Sequence, residues 1–210
     1  MKTYFTFIKF TQEIFLAVSI LMLATLPSAV ALNPQWFSDI VYLWLYGVAH
    51  FALFLVMLIR PLADVLQGVT WLRPLVILRK GVGVFSTSII VSFIIAKVIT
   101  DPSGYLTSLA TSEYWSFNQL ALFAHLADIS ALLLLITSNN LSKRLLGKNW
   151  KRLQRLSYIY FYYSALYVVA MFNEAIVIWY VVIVTLFTIL AWLRNHGYLF
   201  TSNTNKTKTT

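Results

Sequence analysis

Only three histidines occur in the 210 residues, and two of them fall where an imidazole is expensive to place. His50, in "LYGVAHFALF", and His125, in "LALFAHLADIS", each lie near the middle of a long apolar run. Asp128 follows His125 by three residues, so a helix puts both on one face. A carboxylate placed that way can accept an imidazole N–H and fix the tautomer of a histidine that ligates a metal. The same pair could equally be one step in a proton or ion path. It could also be a polar contact that holds helices together, worth about 0.6 kcal/mol in typical membrane cases. The third histidine, His196, lies at the end of the last apolar run and reads as an interfacial residue.

The elements that must position these groups are membrane helices. The chain is 60% hydrophobic and only 11% charged, about half the charge a soluble domain needs to cover its surface. Apolar runs near twenty residues recur, the length that crosses a bilayer core of about 30 Å. We read an all-α, polytopic membrane bundle with spans over 13–32, 41–59, 81–99, 116–137, 157–172 and 175–193. These spans form one transmembrane domain over 1–196, followed by a polar tail over 197–210 without stable structure. The first span begins as "MKTYFTFIKF" and ends in Ala29–Val30–Ala31, a pattern that also suits a signal peptide. Cleavage there would leave five spans.

Charge orders the bundle. The net charge of +9 is concentrated at one set of span ends. Arg60, Arg73, Arg79 and Lys80 lie in one loop, and six more basic residues between Lys143 and Arg155 lie in another. Both termini add lysines, whereas Asp39, Asp101, Glu113 and Glu174 mark the opposite ends. The positive-inside rule then puts both termini in the cytoplasm. The exception is Lys97, near the acidic end of the third span, whose stem can snorkel outward. Because the basic residues follow membrane boundaries, they point to the lipid bilayer as partner and argue against nucleic acid. The absence of cysteine excludes disulfides, thiolate-bound zinc, iron–sulfur clusters and thiol nucleophiles. No phosphate-binding glycine loop or hydrolase motif occurs, and no loop is long enough for a soluble catalytic domain.

Between 138 and 156, Leu141, Leu145, Trp150, Leu153 and Leu156 alternate with lysine and arginine, as in a helix lying in the interface. Gly147 should break it into two pieces. The surrounding stretch "LLLLITSNNLSKRLLGKNWKRLQRLSYIY" resembles the loop before the fifth helix of the ferric-reductase-like transmembrane domain. It is most similar to the haem-binding membrane subunit of the bacterial periplasmic methionine-sulfoxide reductase system. A second block, "FALFLVMLIRPLADVL" followed by "WLRPLVILRKGVGVF", resembles that family's connection between its second and third helices. Together the two cover roughly residues 40–170. The resemblance implies six retained helices, b-type haem between the third and fifth, and a membrane electron-transfer role. The donor would be cytoplasmic or a quinone, and a partner protein would complete an oxidoreductase. The chain departs from the family at the ligands: the expected histidines correspond to Gln154, Tyr167 and, at or near it, Phe93. If haem is held at all, His50 and His125 are the candidate ligands, with Asp128 behind them. The alternative implied by the missing ligands is a haem-free relative acting as a membrane scaffold or partner-binding subunit.

Overall fold

The computed structural model describes residues 2–116 and 120–198. All regular structure among them is helical. The long helices are α1 (Lys2–Leu32), α2 (Asp39–Val65), α4 (Leu78–Thr100), α6 (Ala121–Thr137), α9 (Leu156–Phe172) and α10 (Ala175–Asn195). Shorter pieces fill the connections: α3 (Leu72–Leu75), α5 (Pro102–Ala110), α7 (Asn140–Leu146) and α8 (Lys148–Leu153). Single 3-10 turns occur at Pro34–Trp36 and Ser112–Trp115. Among the described residues four stretches are long and apolar enough to cross a membrane: α1, α2, the α3–α4 unit and α10. The α6–α7 pair makes a fifth if a helix bent by 97° counts as one span.

Helix limits follow the sequence closely where punctuation is strong. Asn173, with φ of 51°, ends α9 in the left-handed conformation, and α10 starts two residues later. Asp101 accepts the Gly104 N–H at 2.9 Å and caps α5, whose first residue is Pro102. Two limits differ from the sequence reading. α1 starts at Lys2 rather than 13, because nothing in its basic, aromatic first turns breaks a helix. α2 continues to Val65, past Pro61. Proline there removes one intrahelical donor, while the Arg79 side chain bonds the nearby Val56 carbonyl through Nε at 2.8 Å. The last part of the tail, from 199 on, lies outside the described residues, as do 117–119 at the start of the fourth expected span.

α4 is the central helix. α1 packs along one side of it, α2 and α6 along others, with α9 against α6 and α10 against α2. Lipid offers no hydrophobic drive for helices to associate, so close approach of small residues must supply the attraction. The α1–α4 seam does this with Ser19, Ser88 and Ser92, all fully buried, and with Gly81. Each serine hydroxyl bonds a carbonyl of its own helix, Ser19 to Phe15 at 2.6 Å and Ser88 to Val84 at 2.7 Å. None of the three serine hydroxyls is thereby left without a partner. On the far side, α10 leaves Ile176, Trp179, Leu186 and Ile189 exposed, the apolar surface expected of a helix that faces acyl chains.

The basic hinge breaks as its sequence indicates. Gly147 separates α7 from α8 with φ of 49° and ψ of −120°, a conformation open to glycine. Trp150 then turns back and donates from Nε1 to the Thr137 carbonyl at 2.9 Å, fastening the hinge to the end of α6. Leu141 and Leu145 stay exposed.

Candidate functional site

Four of the residues singled out above, His50, Phe93, Asp128 and Tyr167, converge on the space between α4 and α9, flanked by α2 and α6. A cavity of about 70 Å³ lies there. Its polar wall is His50 and Tyr46 from α2, Lys97 from α4, Asp128 from α6, and Tyr160, Ser164 and Tyr167 from α9. Phe93 and Ile90 supply much of the apolar wall. The helical repeat explains the grouping: Tyr46 and His50 are four apart, as are Phe93 and Lys97, and each pair presents one face.

His50 is fixed by its own helix. Nδ1 lies 2.9 Å from the Tyr46 carbonyl, which can only accept, so Nδ1 carries a proton. Nε2 is buried and has no hydrogen-bond partner. The Ser164 backbone carbonyl lies close enough to act on the same ring. Asp128 makes no hydrogen bond or ion pair among the described residues. Two hydrogen-bonding groups, His50 Nε2 and the Asp128 carboxyl, therefore face the chamber with no hydrogen-bond partner among the described residues. By contrast Tyr160, on the opposite wall, is 3.3 Å from the Ser86 hydroxyl, which donates to the Ala49 carbonyl at 2.8 Å.

A larger cavity of about 600 Å³ adjoins the chamber and shares Tyr46, Phe93 and Lys97 with it. It lies where α1 ends, α2 begins and α4 passes into α5, with Tyr42, Asp101 and Tyr105 on its walls. Lys97 stands at the junction of the two. Among the described residues its exposed side chain is the only amine lining either space.

The three expected site residues are thus divided. His50 and Asp128 are brought to one chamber; His125 is not on its wall. α6 begins at Ala121, so His125 lies in its second turn, near the end of the helix. Its ring packs against Trp115, with centroids 6.1 Å apart. Asp128, three residues on, is rotated far enough to reach the chamber when His125 does not. His196 ends α10 and stacks on Trp192 at 4.5 Å, away from this region.

A b-type haem held by His50 and His125 does not suit this arrangement. One histidine lines the chamber, and about 70 Å³ is far below the ~300–1,000 Å³ of ordinary cofactor and ligand pockets. The outer cavity is large enough but no histidine lines it. Of the positions that correspond to family ligands, Phe93 and Tyr167 do lie on the chamber wall. Gln154 ends α8 elsewhere, its side-chain nitrogen buried without a partner.

Sequence reasoning passed over Lys97 as a snorkelling side chain and gave no role to Tyr46 or Ser164. A signal existed for the first: Lys97 is the lone basic residue at the acidic ends. The tyrosines of α9 divide as their spacing suggests, Tyr160 and Tyr167 toward the chamber, and Tyr162 toward α10, where its hydroxyl meets Thr185 at 2.9 Å. No family model, curated protein or solved structure matches the chain.

Proposed function

We propose that this chain is a haem-free relative of the ferric-reductase-like class, a bacterial inner-membrane bundle that serves as a scaffold or partner-binding subunit. In this reading all six long helices cross the bilayer, both termini are cytoplasmic, and the basic α7–α8 hinge meets anionic headgroups or a cytoplasmic partner. One observation carries it. The chamber between α4 and α9, the third and fifth spans, is where the resemblance implies haem, and it has Phe93 and Tyr167 at positions matched to ligands. Phenylalanine cannot ligate iron, and tyrosine does so in a minority of haem proteins. An electron-transfer subunit would need two axial ligands facing one space of cofactor size, and neither cavity offers that.

The test is an absorption spectrum of the purified protein, expressed with added haem precursor, before and after dithionite. The expected result is well-folded protein with no Soret band and no reduced α-band. A Soret band lost in His50→Ala would overturn the haem-free reading and restore an electron-transfer role.

A further inference from the structure

We propose that the chamber is a hydrated proton-binding site, in which His50 and Asp128 hold one exchangeable proton reached from the α5 end of the bundle past Lys97. The inference rests on the haem-free reading, since haem would displace the water. Nδ1 of His50 already donates to the Tyr46 carbonyl, so Nε2 in the neutral ring is a bare acceptor. Its neighbours cannot serve it: Nε2 has no protein donor, and the nearby Ser164 group is a carbonyl. An unsatisfied buried acceptor costs about 1–3 kcal/mol. Water removes that cost, and about 70 Å³ is ample for several molecules, each needing roughly 10–15 Å³ of such space. Asp128, on the facing helix, supplies acceptors for the same water.

Those waters join two groups that differ by one proton. Taken from solvent onto Nε2, the proton gives an imidazolium whose two N–H groups can donate to the Tyr46 carbonyl and to chamber water, opposite the Asp128 carboxylate. Left on the carboxyl, it leaves two neutral groups. The pair titrates as a unit. The other ionisable groups facing it are Lys97 from α4, Tyr46 from α2, and Tyr160 and Tyr167 from α9. Lys97, the amine among them, stands where the chamber meets the cavity of about 600 Å³. The route from the larger cavity therefore passes Lys97. On another wall Tyr160 is bonded to Ser86, whose hydroxyl donates to the Ala49 carbonyl.

Three histidines make the site directly observable. Protein carrying ¹⁵N-labelled histidine, shown first to lack a Soret band, is titrated by NMR in lipid nanodiscs. Asp128→Asn should weaken proton binding at His50 at least tenfold, about one pH unit, by removing the opposite charge. Lys97→Met should strengthen it in the opposite direction. His125 and His196 report folding in each variant. A His50 resonance that does not titrate, or that both variants leave unmoved, overturns the proposal. If Asp128→Asn fails to fold, an unmoved midpoint in Lys97→Met is enough to reject it. Because the chain has no cysteine, Ser164→Cys reports on water access. A small water-soluble thiosulfonate should modify it much faster than Ser86→Cys. Equal, negligible rates would mean a dry chamber and would reject the hydrated site. A Soret band in the starting protein would instead defeat the haem-free reading itself.

Discussion

At the scale of single residues, the buried polar groups fall into two kinds. Ser86 and Tyr160 are satisfied, and their bonds join α2, α4 and α9 at one point. Removing Ser86 strands the Tyr160 hydroxyl, which is 2% exposed, whereas removing the Tyr160 hydroxyl leaves Ser86 bonded to Ala49. Ser86→Ala should therefore cost about 1–3 kcal/mol of stability, and Tyr160→Phe only about 0.6 kcal/mol. Reversible unfolding in mixed micelles would measure both, and equal losses would show that the two hydroxyls act as one unit. His50 Nε2 and the Asp128 carboxyl are of the second kind, polar groups that face open space without partners among the described residues. That difference is the physical ground for assigning chemistry to them and packing to Ser86.

At the scale of helices, two glycines near the start of α4 are separated by one residue and face different neighbours. A Cβ at Gly81 would lie 2.9 Å from the Gln12 carbonyl oxygen of α1 and 3.2 Å from the Phe15 Cβ. At Gly83 the nearest atom, on Val56, is 3.7 Å away, an ordinary contact. Gly81→Ala should force α1 away from α4 and destabilise by about 1–3 kcal/mol. Gly83→Ala should be neutral or stabilising by up to about 1 kcal/mol, from helix propensity alone. Thermal unfolding of the two variants side by side decides it; matching effects would mean that the α1–α4 seam does not limit stability. The sequence presents Gly81 and Gly83 alike, since a repeat of glycines says that something approaches closely but not which one it approaches.

At the scale of the whole molecule, the number of crossings depends on α6 and α9, each of 17 residues. Those of α9 extend about 26 Å, a little short of a hydrocarbon core of ~30 Å. The aromatic ends of this helix can sit at the interfaces, and local thinning of the bilayer absorbs a mismatch of this size at modest cost. The six-span reading predicts that reporters fused after Gly147 and after Asn173 report opposite sides of the membrane, the first cytoplasmic. A fluorescent protein active inside and a phosphatase active outside make that comparison. The same side for both would make α9 re-entrant and reject six spans.

The sequence by itself determined what depends on local composition and on distance along the chain. Apolar run lengths specified helices long enough to cross a membrane, the Asn173 and Gly147 breaks set where helices end, and missing cysteine removed whole classes of chemistry. It also placed His50 and His125 in long apolar runs, where an ionisable group is unusual, with Asp128 three residues beyond His125. What it could not supply was azimuth, the rotation of each helix about its axis once packed. Three residues along α6 turn the side chain by nearly a full revolution, and the remainder is enough to put Asp128 on the chamber wall while His125 meets Trp115. Lys97 acquired its position in the same way, from α4 being enclosed by α1, α2 and α6. Length and apolar character are written in the sequence; which groups share a cavity is decided only when the helices pack.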